Sequence, residues 1–341
     1  MKDLKEQLEL DALYQAALKE FTNNSEKLII LAGGDAPHQQ DALKQLFMKR
    51  FPKIPLEIQV DLSKYHNIKV YQELLDGQLS FDVAMLQTTN DFENWKKMGV
   101  LEAFKPQGYQ ALVPGYSDPD GAFLAGFIFA FVPQYAKVGL KKAPRNYEDY
   151  LTPEFQNRLI LTPPHDDDAV LFVYDHIMKK YGENFLYRLA AQKPHFIRGT
   201  AAPALLVGKK GFLGNLTGYF MTLEDPSVSF IPEDDFFITW TQRAAMFKLS
   251  KHQAAARLFL AYLVSYEYQQ ARGTWSVRQD VLPPKGLKPL SSYPNTDPLQ
   301  FIKWMENREH LANLRQKMTQ IFGPVTGKSP LTDPKLLKLY L

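Results

Sequence analysis

Three adjacent carboxylates, Asp166, Asp167 and Asp168, follow His165 in the stretch LTPPHDDDAVLFVY, between a strand-like apolar run and a helix-like one. One or two carboxylates at a helix start are ordinary, each gaining about 0.3–1 kcal/mol against the positive end of the helix dipole. Three are harder to absorb. Successive helical residues point about 100° apart, so the three cannot all reach the same backbone N–H groups, and at least one faces elsewhere. A carboxylate left over beside His165 suits an ammonium group, a hydroxyl-rich solute or a hard cation. The alternative is a solvated acidic turn. No second His or acid is fixed by spacing, so no metal is expected, and no cofactor motif is present.

Two further strand-to-helix junctions carry polar groups, in LIILAGGDAPHQQDALKQLF and HFIRGTAAPALLVG. Gly33 and Gly34 let backbone approach a ligand, Pro37 suits a first helical turn, and the N–H groups beyond Asp35 could grip an oxyanion. An ordinary turn with Asp35 as N-cap is the competing reading. Arg198 is the preferred fork for carboxylate or phosphate, and Thr200 adds a hydroxyl; the alternative is an ion pair from Arg198 to one of the aspartates. Gln87, Thr88 and Thr89 end a buried strand at the edge where α/β sheets place ligands, or they cap the helix at Asp91. Trp240, Trp275, Arg278 and Asp280 could form an aromatic and ion-paired wall, although tryptophan is more often core.

Much chemistry is excluded. The histidines show no HxxxH or HExxH spacing, which argues against a zinc enzyme. There is no P-loop, no Ser/His/Asp order and no cysteine, so disulfides, thiolate metal sites and cysteine nucleophiles are absent together. An enzyme would have to use His165 and Asp166 as an acid–base pair. With 40 basic and 37 acidic residues among 341, the net charge is +3, and no basic run exceeds Lys141-Lys142 or Lys209-Lys210. That argues against nucleic acid or an anionic membrane as partner. No stretch reaches the ~20 apolar residues that span a bilayer.

The elements that must hold these residues follow from periodicity. MKDLKEQLELDALYQAALKEF reads as an amphipathic helix with Leu4, Leu8, Leu10, Leu13, Ala17 and Phe21 on its apolar side, and it lacks the apolar core of a secretory signal. The chain is then either cytoplasmic or a mature form with an added Met1. Strands at Lys27–Ala32, Leu56–Val60 and FDVAMLQ, with helices between, make a βαβαβ unit. Ala122–Val132 is a strand long enough to cross between lobes. A second α/β region spans Tyr147–Phe230, Trp240–Lys248 returns as a strand, HQAAARLFLAYLVSYEYQQ is one helix, and Asp297–Phe322 is helical. The predicted fold class is α/β in two lobes.

The segment order resembles the type II periplasmic solute-binding proteins of ABC importers, in the ferric-iron-transport-like branch (extracellular solute-binding families 1 and 6). The matching stretches are LAGGDAPHQQDALKQLFMKRFP, FDVAMLQTTNDFENWKKMGVLEAFKP, SDPDGAF, PPHDDDAVL and HQAAARLFLAYLVSYEYQQ, spanning roughly residues 10–285. The resemblance implies a ligand cleft between two lobes, closure on a small polar solute, an ABC permease as partner, a monomer and a periplasmic location. It divides the chain into an N-terminal helix at 1–25, lobe 1 at 26–126 and 228–290, lobe 2 at 127–227, and C-terminal helices at 291–341. It also brings Asn215 and Thr217 into the polar lining with Gly34, Asp35, Gln87, Thr88, His165 to Asp168, Arg198, Thr200, Trp240 and Arg278. Ferric-binding members carry adjacent tyrosines where GFLGNLTGYFM has Leu216 and Thr217, which argues against iron, since phenolate is the hard ligand that Fe(III) takes.

Overall fold

The computed structural model describes residues 2–22, 25–219 and 226–340, so Asn23 and Asn24 of the N-terminal segment and Phe220 and Met221 of GFLGNLTGYFM lie outside it. In chain order the elements are α1 (Lys2–Ala17), β1 (Leu28–Gly33), α2 (Asp41–Arg50), β2 (Leu56–Asp61), α3 (Ser63–Leu75), β3 (Val83–Leu86), α4 (Thr89–Lys97) and β4 (Leu124–Ala136). Then come β5 (Ile160–Leu161), α5 (Asp168–Tyr181), α6 (Asn184–Ala191), β6 (His195–Phe196), α7 (Ala201–Leu206), β7 (Gly214–Tyr219), β8 (Ser227–Ser229) and β9 (Ile238–Met246). The last are α8 (Gln253–Leu263), α9 (Tyr266–Ala271), α10 (Pro298–Glu306), α11 (Arg308–Phe322) and α12 (Pro334–Leu337). The chain divides into two compact units, Met1–Ile128 with Thr241–Tyr293, and Phe129–Trp240 with Pro294–Leu341. β4 and β9 each run from one unit into the other.

In the first unit β1 pairs in parallel with β2 and with β3, and β3 pairs antiparallel with β9 through Val83↔Met246 and Leu86↔Arg243. Parallel neighbours need crossovers, which α2 and α3 supply. The apolar runs of β1 and β3 are buried because helices cover a parallel sheet on both faces; Leu31, Ala84, Leu86, Phe92, Trp95, Phe123 and Phe247 belong to one core cluster. The C-terminal ends of β1 and β3 and the start of α3 therefore converge. Ser63 Oγ accepts the Gln87 N–H at 3.0 Å, and a Cβ on Gly33 would fall 2.1 Å from Ser63 Oγ.

The N-terminal helix differs from the expected leucine stripe. Leu10 and Ala17 are buried, but Leu4 and Leu8 are each 61% exposed. Glu6 occupies the inner face instead, paired with Arg278 at 2.9 Å and accepting the Tyr266 N–H at 2.9 Å. Glu9 accepts the Gln107 N–H, and Glu20, beyond the end of α1, accepts those of Ala254 and Ala255. Glu6 and Glu20 thus cap α9 and α8 from a distant segment, and helix starts favour such anions. Phe21 lies past the helix, stacked on His252.

Two expected helices each break once. Ser265 separates α8 from α9 by accepting the Tyr268 N–H, and Asn307 separates α10 from α11 by accepting that of His310. Both side chains compete with the backbone for N–H groups, which starts a new helix in place of extending the old one.

In the second unit β4 pairs antiparallel with β7 and β8, with an irregularity before Gln134. β5 pairs in parallel with β6. The core joins Tyr150, Phe155, Phe172, Trp240, Phe301, Trp304 and Met305. No helix among the described residues is long and apolar enough to cross a membrane.

Candidate functional site

The short β5–β6 pair sets two of the three junctions side by side. Its register, Ile160↔His195 and Leu161↔Phe196, makes both strands end at one edge, so the loops after them emerge together. Ile197 N–H donates to Leu161 O at 3.0 Å, and Thr162 Oγ1 donates to Gly199 O at 2.8 Å. Gly199 has φ +79°, a conformation glycine takes without strain, between Arg198 and Thr200.

The three aspartates take three different partners, Asp166 from the turn, Asp167 from the N-cap and Asp168 from the first residue of α5. Asp166 is held by Arg198 through both oxygens, Nε to Oδ2 at 2.8 Å and Nη2 to Oδ1 at 3.1 Å. Asp167 is the N-cap of α5, accepting the N–H groups of Ala169 and Val170 at 2.8 and 3.0 Å. Asp168 pairs with Arg315 on α11. His165 is half-buried beside them and Thr200 is buried. The ion pair from Arg198 to an aspartate, one of two readings of that arginine, is thus present.

Asn215 and Thr217 lie within the sheet on β7. Asn215 is fully buried, its Nδ2 donating to Gln134 Oε1 at 3.2 Å and its Oδ1 accepting the Thr217 N–H. Gln134 Nε2 passes the chain on to Ser229 Oγ at 2.9 Å. Trp240 is packed among Phe129, Phe131 and Phe301 in the core. Arg278 belongs to the first unit, buried and shared between Glu6 and Asp280. Arg278 and Asp280 form the expected ion pair, and Trp275 donates to Lys288 O.

In the first unit the Gly33-Gly34-Asp35 junction does not lead straight into a helix. α2 starts only at Asp41 with Gln40 at its N-cap, and residues 36–40 form turns. Asp35 is buried, and its N–H donates to Gln39 Oε1 at 2.9 Å. Pro37 therefore precedes the helix by four residues instead of opening it, and Asp35 is not a cap. At the neighbouring junction Thr88 is the N-cap residue of α4, yet its side chain makes no capping bond.

The hydroxyls of Thr88, Thr89 and Thr241 are all buried without a hydrogen-bond partner among the described residues. Leaving a buried hydroxyl unmet costs about 1–3 kcal/mol, and these three fall together where β3 ends opposite β9. Beside them Gln242 Nε2 donates to Met85 O at 3.2 Å, and Arg243 Nη1 donates to Thr89 O at 2.8 Å while its guanidinium lies over Phe123. Ser63, Thr241, Gln242 and Arg243 went unnoticed in the sequence. The available signal was the run of polar residues Thr241, Gln242 and Arg243 inside a strand that is buried throughout.

Among the described residues no group of three or more His, Cys, Asp or Glu side chains is arranged to hold a metal ion. Tyr219 packs on Phe129 and Phe131.

Residues 78–310 match the family described as bacterial extracellular solute-binding protein. No curated protein sequence matches the chain. Among solved structures, the substrate-binding protein of an ABC transporter from Agrobacterium tumefaciens aligns with TM-score 0.74 at 13% identity, covering 90% of this chain and 96% of that one. Iron-bound HitA from Pseudomonas aeruginosa aligns with TM-score 0.66 at 17% identity, covering 86% and 99%. AfuA from Actinobacillus pleuropneumoniae, solved with fructose-6-phosphate, aligns with TM-score 0.63 at 15% identity, covering 89% and 100%. Identities this low establish the fold, that of two-lobed periplasmic binding proteins.

Proposed function

We propose that this chain, which belongs to the bacterial extracellular solute-binding protein family, is a periplasmic receptor that captures a small polar solute and delivers it, without turnover, to an ABC permease. The observation that carries the choice of site is the set of unmet hydroxyls of Thr88, Thr89 and Thr241 at the C-terminal end of β3. A solute offering hydroxyl, amide or oxyanion groups there would satisfy them, and strand ends of α/β sheets are where such solutes bind. Gly34, Asp35 and Gln87 stand at the same end of the sheet. The second unit supplies its own polar set in His165, Asp166, Arg198 and Thr200.

An acid–base role for Asp166 is disfavoured because both its oxygens are already engaged by a guanidinium. Iron is disfavoured because Leu216 and Thr217 offer no phenolate. Native mass spectrometry of gently purified protein, with elemental analysis, tests the reading. A co-purified polar solute that Thr88→Val releases is the expected result. No bound mass and no thermal shift with a broad panel of polar solutes would overturn the receptor, and a solute retained in full by Thr88→Val would overturn the site.

A further inference from the structure

One end of the second unit is built from turns whose exposed charged side chains are cationic. Backbone hydrogen bonds tie its segments together: Ala136 N–H to Leu213 O at 2.9 Å, Lys137 N–H to Pro226 O at 2.9 Å, Leu213 N–H to Arg158 O at 2.7 Å and Asn157 N–H to Gln192 O at 2.8 Å. Arg158 Nε adds a bond to Gly211 O at 3.1 Å. Gly139, at φ +97°, brings the loop after β4 against Leu213, where a Cβ would come within 3.2 Å.

These segments carry Lys137, Lys141, Lys142, Arg158, Lys193, Lys209 and Lys210, and all but Arg158 are exposed. Lys141, Lys142, Lys193, Lys209 and Lys210 have no carboxylate partner among the described residues. The described acid on the same segments is Glu154, which accepts the Lys141 N–H. Glu224 and Asp225, which precede Pro226 in the sequence, lie outside the described residues; counting them, cations still lead seven to three. Next along the chain the charges balance, because Arg145 is paired with Glu233. Beside Lys137, Val138 is 83% exposed.

We propose that this end of the second unit is a docking surface for an anionic lipid bilayer, with the lysines on headgroup phosphates and Val138 entering the interface between them. The charge alone would suit any polyanion. An aliphatic side chain held out among lysines favours a bilayer, where charge attraction and apolar burial add. The near-neutral whole-chain charge and the absence of long basic runs conceal the patch, because its cations come from four separate segments that only the fold assembles. Nothing in this inference depends on which solute the protein carries.

Co-sedimentation of the full chain with phosphatidylcholine vesicles, with and without phosphatidylglycerol, tests it. Each lysine near an anionic surface strengthens association about fivefold, so Lys209→Glu with Lys210→Glu should weaken binding to the anionic vesicles by at least about 20-fold. Salt at about 1 M should release the protein, the charges then being screened beyond about 3 Å. Lys49→Glu with Lys97→Glu, an equal charge change on exposed positions of the first unit, should leave binding intact. Equal binding to neutral and anionic vesicles, no binding at low salt, or an equal loss in the first-unit variant would each overturn the proposal. So would binding to a short DNA duplex as tight as to the anionic vesicles, or a Val138→Ser variant that partitions as the parent does.

Discussion

At Thr88 the sign of a substitution separates a ligand contact from a packing residue. Thr88→Val removes a hydroxyl that meets no partner, on a side chain that does not cap α4. The solute-free protein should keep its stability or gain up to about 1 kcal/mol, read as an unchanged or raised Tm, while solute affinity falls about tenfold because the bound group loses its partner. Asp167→Ala should do the reverse, costing about 1 kcal/mol as the α5 cap is lost, with affinity unchanged in calorimetry. Arg198→Met removes both guanidinium bonds to the 7%-exposed Asp166 carboxylate and should cost about 3 kcal/mol by urea unfolding. The divergence of the three aspartates was legible in the sequence as an expectation, although only Asp168 lies in the helix, with Asp167 its N-cap and Asp166 in the turn before it. The idleness of the Thr88 hydroxyl was not, since it depends on which distant groups fail to arrive.

At the level of elements, strands and most helices could be read from periodicity, whereas the orientation of α1 could not. Its leucines suggested the buried face, but three acids that serve other segments fix its docking. Leu4→Ser with Leu8→Ser should therefore shift stability by less than about 1 kcal/mol. Glu6→Ala leaves the buried Arg278 guanidinium with Asp280 alone and should cost about 1.5–3 kcal/mol. Glu20→Ala, which uncaps α8, should fall near 1 kcal/mol. Urea midpoints rank the three. The breaks at Ser265 and Asn307 were hidden for a related reason: Ser and Asn are tolerated within helices, and only local backbone geometry turns them into caps.

For the whole molecule, acid sensitivity follows from two buried imidazoles. Burial lowers the pKa of His66 from its usual value, and burial together with Lys179 lowers that of His176 to about 4. In the unfolded chain both ionise near 6.5, so as pH falls the unfolded state takes up protons first. Stability should be flat above about pH 6.5, decline toward pH 4 and lose nothing further to His176 below that. His176→Phe, which keeps the ring stacked on Phe236, should shallow the decline in urea midpoints measured across that range. A second consequence comes from the ion pair between Glu6 and Arg278. At about 5–20 residues per second, roughly 15–50 s of synthesis separate its two halves, and β9, the neighbour of β3, is also made late. Throughout that interval the nascent first unit has an uncovered sheet edge and no closing clasp, so a chaperone or a translocation channel meets it as an open chain.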